Sequence, residues 1–305
     1  MTFGYYPGCA LRGSSLEYDE SVLRISGPLG WGLREIADWN CCGASAGHMT
    51  DHSLTAGISA RNLFLAEQQG LEEILVPCPM CSVMLFGARE ELTGKSDVGR
   101  KITEAIGTAY QDKVEILNLI QVFQRTGLDT LKEKVVRPLE GLRVACYYGC
   151  LLVRPPKLVQ FDDPEDPTSM EEIVEILGAD PVQWPLRTDC CGAGFTVSAR
   201  KSVIRLTGEI LVSAKDAGAD VVAVACPMCQ ANLDMMQRKI EKSLGRPINL
   251  PILYLSQLAG LALGISPEEL GIHRHFVEVP TLFRGAATPS VETARARGRE
   301  NEHEE

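Results

Sequence analysis

The stretches ILVPCPMC at residues 74–81 and VAVACPMC at residues 222–229 share one local pattern. In each stretch, a short run of branched apolar residues predicts a buried strand that ends just before a cysteine. The proline that follows is suited to the first position of a helix, where its missing N–H costs no hydrogen bond. The pattern therefore predicts parallel α/β units in which a cysteine separates each strand from the next helix.

The two stretches belong to a larger cysteine array that occurs twice. Each array consists of a single cysteine, an adjacent pair followed by glycine, and the CPMC motif. The first array is Cys9, Cys41, Cys42, Cys78 and Cys81, and the second is Cys150, Cys190, Cys191, Cys226 and Cys229. Between the single cysteine and the pair there are 31 residues in the first array and 39 in the second. Of the eleven cysteines, only Cys146 stands outside both arrays.

The similarity between the two halves extends beyond the cysteines. YYPGCALRGSS at 5–15 aligns with CYYGCLLVRPP at 146–156, and LEEILVPCPMCSVML at 71–85 aligns with ADVVAVACPMCQANL at 219–233. The offset grows from 141 residues at the first cysteine to 148 at the CPMC motif, which indicates an insertion near 161–170. We infer an internal duplication that produced two α/β domains related by a pseudo-twofold axis. Each domain is expected to have its own core, a short parallel sheet and a cysteine cluster site.

The predicted domains are residues 1–137 and 138–285, with the boundary close to Pro138. Within them, Ser53 and Ser169 are predicted to cap the helices that follow. Residues 286–305 are small and charged and have almost no large apolar side chains, so we predict a disordered C-terminal tail.

Composition and charge exclude several classes of protein. A net charge of −10 and an isoelectric point near 5.1 do not fit the basic face that binds nucleic acid. No apolar run approaches the ~18 residues of a membrane-spanning helix, and the first residues do not resemble a signal peptide. We expect a cytoplasmic protein with no nucleic-acid partner and no membrane insertion. In that reducing compartment, eleven cysteines indicate metal or redox chemistry rather than disulfides.

The adjacent cysteine pairs distinguish between the uses that these sulfurs could have. A redox dithiol at a helix start needs no cysteines beyond its C-x-x-C, and a structural zinc site commonly takes four ligands from paired knuckles. The side chains of two adjacent cysteines can bind the same group only when they lie in an irregular loop. Gly43 and Gly192 supply the backbone freedom for such loops. The pattern favours an extended iron–sulfur group. A zinc scaffold and a plain dithiol remain the alternatives.

The motif C-x31–39-C-C-G-x34–36-C-x-x-C resembles that of the CCG domain, and two copies in one chain resemble the B subunit of heterodisulfide reductase. The resemblance covers residues 3–261 and includes YYPGC, DWNCCG, CYYGCLLVRPP, FDDPEDPTSMEEIVEILGA and VACPMCQANLD. It implies that the ten array cysteines bind two noncubane [4Fe–4S] clusters. It further implies an oxidoreductase acting on a sulfur group, which reduces or forms a disulfide of thiol cofactors.

The resemblance also implies partner proteins. The chain contains neither G-x-G-x-x-G nor G-x-x-x-x-G-K-[ST], so electrons are expected from a C-like iron–sulfur subunit and an A-like flavin subunit. Two alternatives keep the clusters and change the reaction. One is the B subunit of a sulfur-oxidising complex that acts on protein-bound sulfur. The other is an electron-relay protein without a substrate, which predicts no open cleft between the clusters.

Four polar residues and one cysteine are further candidates for a functional role. His48 and His52 follow the first CCG sequence and are interpreted as solvated loop residues. Arg154 and Lys157 could pair with an anionic thiol substrate, although such residues commonly lie on a solvated surface. Cys146 aligns with a tyrosine of the first half, so it is interpreted as a buried strand residue rather than a ligand. The alternative for Cys146 is a sixth sulfur that takes part in thiol exchange.

Overall fold

The computed structural model of the chain describes residues 1–44, 47, 50–94 and 96–279, and eight strands and thirteen α-helices lie in this part. The first half contains β1 (Thr2–Tyr5), α1 (Gly8–Leu11), α2 (Leu16–Leu29), β2 (Gly32–Glu35), α3 (His52–Gln68), β3 (Glu73–Leu75), α4 (Pro79–Thr93), α5 (Asp97–Ile106), β4 (Glu115–Leu117), α6 (Leu119–Thr126) and α7 (Leu128–Lys134). The second half contains β5 (Arg143–Tyr147), α8 (Pro156–Val159), α9 (Ser169–Ile176), β6 (Asp180–Pro181), α10 (Arg200–Asp216), β7 (Val221–Val224), α11 (Pro227–Met235), α12 (Gln237–Leu244), β8 (Ile252–Tyr254) and α13 (Leu255–Ala262).

The strands form two four-stranded sheets of the same topology. Their orders are β2-β1-β3-β4 and β6-β5-β7-β8, and every strand pairing is parallel. Parallel neighbours require crossover connections, which the helices between the strands provide. The predicted architecture of two similar α/β domains is confirmed.

The junction between strand and helix forms at each CPMC motif as the sequence predicts. Helices α4 and α11 begin at the prolines of the two motifs, with Cys78 and Cys226 at the N-cap positions. All four residues of β7 are buried, as expected for an apolar run in the middle of a parallel sheet. Each CPMC motif therefore places its first sulfur at the N-terminus of a helix.

Two predicted helix caps are wrong by one or two residues. The cap of α3 is Asp51, whose carboxylate accepts the backbone N–H of Leu54 at 2.7 Å, and not Ser53. Helix α9 begins at Ser169 itself, whose hydroxyl donates to Asp162 instead of capping the helix. In both places, nearby polar side chains compete for the same free N–H groups, and spacing in the sequence does not show which one succeeds.

The hydrophobic core does not divide at the boundary between the halves. One cluster of buried side chains includes Tyr18, Val22 and Ile25 of α2 together with Leu255 and Leu258 of α13. A smaller cluster lies within the first half, around β3, α3 and α4. The expectation of a separate core in each half is therefore wrong for the second half. Helix α2 buries one apolar face against the opposite half, since a helix must cover such a face with another element.

Some predictions concern residues at or beyond the end of the part of the chain that the structure describes. The predicted tail at 286–305 and the end of the second predicted domain lie outside the described residues. The boundary between 137 and 138 stays a prediction; it falls between the end of α7 and the start of β5. Among the described helices, none has both the length and the apolar character needed to cross a membrane.

Candidate metal centre

The ten array cysteines lie in loops at the carboxyl ends of the strands or in the helices that start there. Cys9 follows β1, Cys41 and Cys42 follow β2, Cys78 follows β3, Cys150 follows β5, Cys190 and Cys191 follow β6, and Cys226 follows β7. In the order β2-β1-β3-β4 the chain crosses from one side of β1 to the other, and α/β sheets bind their ligands at such a switch point. Parallel topology thus brings cysteines that are far apart in sequence to one edge of each sheet.

The sulfurs of the first array lie in close pairs. The Sγ atoms of Cys9 and Cys41 are 3.7 Å apart, and those of Cys42 and Cys81 are 3.2 Å apart. Cys78 and Cys81, one helical turn apart, lie close enough for Cys81 to lower the pKa of Cys78. The convergence predicted for the two sulfurs of the CPMC motif is confirmed here.

The second array repeats these pairs with the equivalent residues. The Sγ atoms of Cys191 and Cys229 are 3.6 Å apart. Cys190 lies close enough to Cys150 to affect its pKa, and Cys226 lies close enough to Cys229 to do the same. The duplication therefore preserves the arrangement of the sulfurs and not only their order along the chain.

A tyrosine at the end of the first strand anchors each cysteine-pair loop. The Tyr6 hydroxyl donates to the carbonyl oxygen of Asn40 at 2.7 Å, and the Tyr147 hydroxyl donates to that of Asp189 at 2.6 Å. Asn40 and Asp189 immediately precede the two cysteine pairs. The two hydroxyls hold both loops against the sheet in the same way.

The glycine after each cysteine pair adopts the backbone conformation that the sequence predicts. Gly43 and Gly192 have φ of +78° and +74°, a region that favours glycine. Their backbone N–H groups point at Cys41 Sγ at 3.4 Å and Cys190 Sγ at 3.3 Å. This turn lets both neighbouring cysteines of each pair face the site.

The two arrays meet in the interior of the protein. Cys78 and Cys226 lie close enough for each to shift the pKa of the other, and they are only 4% and 6% exposed. At the outer ends of the two arrays, Cys9, Cys41 and Cys190 are exposed and Cys150 is partly exposed. The sulfurs form a row that starts at the surface of one half, passes through a buried middle, and ends at the surface of the other.

Because the thiols lie close together, the pKa values of neighbouring thiols are shifted in opposite directions. Hydrogen bonds from Cys226 and then Cys81 hold the pKa of Cys78 well below its usual value. The pKa of Cys81 is raised well above its usual value by its hydrogen-bond interactions with Cys42 and Cys78, followed by burial. A thiolate that forms at one sulfur thus opposes ionisation of the next one along the row. All of the thiols can be ionised at the same time only when a cationic group binds them and offsets the repulsion between the thiolates.

The same effect reaches the outer ends of the row. Burial, followed by the neighbouring Cys41, raises the pKa of Cys9 to about 11. Burial, followed by Cys190, raises the pKa of Cys150 to about 12. Iron binds the thiolate form of cysteine, so a cluster would supply the positive charge that this arrangement needs.

The donor set fits an iron–sulfur group better than a single ion. Among the described residues, no three His, Cys, Asp or Glu side chains converge on one point as they would around a single metal ion. The five sulfurs of each half are instead spread along a row, with a glycine loop on one side and a helix N-terminus on the other. That the ten array cysteines hold two such groups stays a prediction.

The sheet register supports the interpretation of Cys146. Cys146 pairs with Ala223 in the second sheet, as Tyr5 pairs with Leu75 in the first. Ala223 and Leu75 each lie three residues before the first cysteine of a CPMC motif, so Cys146 takes the place of Tyr5. The side chain is fully buried in β5 and forms no pair with an array sulfur in the described residues. That it is no ligand stays a prediction.

Of the other candidate residues, His52 and Arg154 bond to protein groups other than the array sulfurs. The His52 side chain is 72% exposed and bonds to Glu91 at 2.8 Å, which fits a solvated residue. His48 lies outside the described residues. Arg154 donates to the carbonyl oxygen of Thr188 at 3.0 Å, so it braces the loop that leads to the second cysteine pair.

Two polar side chains that hold the cysteine loops were missed at the sequence level. The Ser59 hydroxyl of α3 donates to the carbonyl oxygen of Cys42 at 2.7 Å. The Asn232 amide of α11 donates to that of Cys191 at 3.2 Å. Ser59 belongs to no quoted motif, and Asn232 lies in the stretch VACPMCQANLD without being distinguished there from its neighbours. The only available signal is a polar residue on the buried face of a helix.

Residues 3–86 and 144–234 match the model of the cysteine-rich domain family CCG. The two matched segments contain all ten array cysteines and both switch points. The chain belongs to the CCG cysteine-rich domain family.

Relatives of known name cover most of the chain. The 8-methylmenaquinol:fumarate reductase membrane anchor subunit of Wolinella succinogenes is 38% identical over 92% of this chain and 98% of that protein. The B subunit of the ferredoxin/F420H2-dependent CoB-CoM heterodisulfide reductase of Methanosarcina acetivorans is 31% identical over 78% of this chain and 81% of that protein. The B subunit of the ferredoxin:CoB-CoM heterodisulfide reductase of Methanosarcina mazei is 33% identical over the same shares of the two chains. The resemblance to the B subunit of heterodisulfide reductase is confirmed.

A solved structure shares the fold. The chain superimposes on a hypothetical protein from Helicobacter pylori with a TM-score of 0.71 and 16% identity, over 92% of this chain. The match covers 52% of that longer protein. At this identity the likeness supports the α/β architecture alone.

Proposed function

We propose that the chain is the iron–sulfur subunit of a multi-subunit oxidoreductase of the heterodisulfide reductase type, and that each cysteine array holds one noncubane [4Fe–4S] cluster. The observation that carries the proposal is the continuous row of ten sulfurs, open to solvent at both ends and buried where the arrays meet. When bound, the clusters would supply one-electron chemistry that amino-acid side chains lack.

The chain's own residues position the sulfurs and keep water from the middle of the row. Cys78 and Cys226 lie at helix N-termini, where free N–H groups and the positive end of the helix stabilise negative charge. The backbone N–H groups of Cys81 and Met80 donate to the Cys78 sulfur. These contacts favour an anionic group at the buried middle of the row.

The proposed substrate is a disulfide of thiol cofactors, because relatives are named as CoB-CoM heterodisulfide reductases. Cleavage of a disulfide takes two electrons and two protons and releases two thiols. Two equivalent arrays match this stoichiometry. The proposed electron donors are a C-like iron–sulfur subunit and an A-like flavin subunit, and the proposed location is the cytoplasm.

A second candidate is an electron-relay role in a quinol-linked fumarate reductase complex. The chain is more similar to the Wolinella succinogenes protein, at 38% identity, than to the heterodisulfide reductase proteins compared above, at 31% and 33%. The burial of Cys78 and Cys226 beside each other also favours a relay, because it leaves little room for a substrate between these two sulfurs. In this case the outer sulfurs would face partner proteins only.

Metal and sulfide analysis tests the part that both candidates share. Protein purified without oxygen should contain roughly eight iron atoms and eight acid-labile sulfides per chain if both clusters are of the [4Fe–4S] type. Stoichiometric zinc with negligible sulfide would contradict the proposal and favour a zinc-stabilised scaffold.

A second experiment separates the two candidates. The tagged chain is expressed in its own host, and the complex that copurifies is assayed with small mixed disulfides and, separately, with a quinol and fumarate. Thiol release from a mixed disulfide supports the heterodisulfide reductase type. Quinol-dependent fumarate reduction without thiol release supports the relay.

A further inference from the structure

A single buried tyrosine connects the two arrays at the point where they meet. The Tyr18 hydroxyl lies 3.3 Å from the carbonyl oxygen of Pro77 and 3.2 Å from that of Ala225. Pro77 and Ala225 immediately precede Cys78 and Cys226, the two buried cysteines that lie beside each other where the arrays meet. One hydroxyl proton is therefore shared between equivalent positions of the two halves, each next to an inner sulfur.

The surroundings of Tyr18 hold its hydroxyl in this orientation. Tyr18 is fully buried, and its ring stacks on Tyr254 of the second half with centroids 4.0 Å apart. One helical turn further along α2, the Ser21 and Ser256 hydroxyls bond across the same interface at 2.7 Å. Burial raises the pKa of Tyr18 well above its usual value, so the group stays a neutral donor.

The contact breaks the symmetry of the duplication. Tyr6 and Tyr147 each support one array, whereas Tyr18 serves both. At the offset of 141 residues that relates the first cysteines of the two arrays, the position aligned with Tyr18 is Val159. Val159 is buried, and its side chain has no hydrogen-bonding group. The donor of the hydrogen bonds that connect the two arrays therefore comes from the first half.

We propose that Tyr18 is a positioning residue that fixes the distance between Cys78 and Cys226 and thereby sets the coupling between the redox groups of the two arrays. The part about coupling rests on the proposed function, whereas the distance between the two cysteines can be tested without any cluster. Removal of the hydroxyl leaves two buried carbonyls without this donor. The two strand ends would then be free to move apart, because no other side chain bonds to both of these carbonyls in the described residues.

The first test measures coupling in the full chain purified without oxygen. Tyr18→Phe keeps the ring on Tyr254 and removes only the hydroxyl. The matched control is Tyr5→Phe, which removes another buried hydroxyl that donates to Asp19 at 2.6 Å within one half. Both variants should keep their iron and sulfide. The spin–spin splitting in the electron paramagnetic resonance spectrum of the reduced protein should change in Tyr18→Phe only.

The second test measures the distance between the cysteines in the iron-free chain. Mild oxidation with diamide should form a Cys78–Cys226 disulfide, quantified by peptide mass spectrometry. The loss of one hydrogen bond should slow this cross-link about fivefold in Tyr18→Phe and leave it unchanged in Tyr5→Phe. An unchanged rate in Tyr18→Phe, or an unchanged splitting in a variant that holds both clusters, would overturn the proposal. Zinc in the wild-type protein would refute the proposed function, and the cross-linking rate would still decide the role of Tyr18.

Discussion

Glycine at positions 8 and 149 gives the cysteine arrays the space they occupy. Gly8 and Gly149 have φ of +67° and +62°, and a Cβ added there would lie 3.1 Å from Cys81 Sγ and 3.0 Å from Cys229 Sγ. We expect Gly8→Ala to displace the Cys81 sulfur and to lower the iron content by roughly half, that is, by one of two clusters. Iron and sulfide analysis of protein purified without oxygen measures this loss.

Gly70→Ala is the matched control for the substitution at Gly8. Gly70 has φ of +68°, and nothing lies within 4 Å of an added Cβ. Both alanines therefore strain the backbone by the same ~1–2 kcal/mol, and only the one at position 8 meets a sulfur. Full iron content in Gly8→Ala would show that the array tolerates a shift of Cys81.

Cys146 and Cys150, which lie four residues apart in the second half, should differ in how far their replacement lowers the iron content. Cys146 is buried in β5, where it replaces Tyr5 of the first half, so Cys146→Ala should keep both clusters and cost about 1 kcal/mol of stability. Cys150 bonds to Cys190 at the end of the row, so Cys150→Ala should lose the second cluster. Iron and sulfide analysis of both variants decides between them. Loss of iron from Cys146→Ala instead would mean that the ligand is Cys146, four residues before Cys150.

Among the elements, helix α11 carries the second CPMC motif and is held at its back by the segment that follows α13. The Asp234 carboxylate accepts the backbone N–H groups of Phe276 and Val277 at 2.8 Å and 3.0 Å. His275 is buried between the side chains of Gln230 and Gln257, at 3.1 Å and 2.9 Å. This segment stabilises the helix that holds two cysteines of the second array.

The attachment of this segment predicts a pH dependence of stability. Burial lowers the pKa of His275 from 6.5 to about 4, so the unfolded chain binds a proton at a higher pH than the folded protein does. The contribution of His275 is complete above pH 6.5 and falls by about 2 kcal/mol between pH 7 and pH 5. The pKa of Asp234 is raised by burial, and its effect has the opposite sign.

His275→Gln isolates the histidine from the aspartate, because it keeps a neutral hydrogen-bonding side chain. The free energy of unfolding of the wild type minus that of the variant should decrease by about 2 kcal/mol from pH 7 to pH 5. Urea unfolding of both proteins, followed by circular dichroism, gives this difference. A difference that stays constant with pH would mean that the pKa of His275 is the same in the folded and the unfolded protein.

Across the molecule, the two halves depend on each other for burial. Tyr18, Val22 and Ile25 of α2 and Leu255 and Leu258 of α13 are all fully buried in the shared core. Exposure of each of these side chains costs about 2 kcal/mol, and the sum is comparable to the roughly 5–15 kcal/mol stability of a typical domain. We therefore expect fragments 1–137 and 138–305 not to fold when each is produced alone.

Coexpression provides the control for this prediction. Produced together, the fragments should associate, recover the circular dichroism of the intact chain and unfold in one transition. Produced separately, each should lack a cooperative unfolding transition. A 138–305 fragment that is monomeric and unfolds cooperatively by itself would show that the shared core is not required.

The repeated array, the parallel α/β class and the position of each CPMC cysteine at a helix start could all be predicted from the amino-acid sequence. These features depend on residues a few positions apart, such as apolar runs, proline at the first helical position and glycine after a cysteine pair, so spacing along the chain is enough to predict them. The helix caps at Asp51 and Thr168 were not predicted, because several polar neighbours compete for the same N–H groups.

The meeting of the two arrays, the shared core and the place of Tyr18 at the junction became visible only in the folded chain. The Tyr18 hydroxyl bonds to residues 59 and 207 positions away along the chain. No local pattern encodes such contacts, since they depend on how two sheets place their carboxyl ends and on which helix face is left to cover the other half. Packing joins surfaces from distant parts of the chain, whereas periodicity describes only the face that each element must bury.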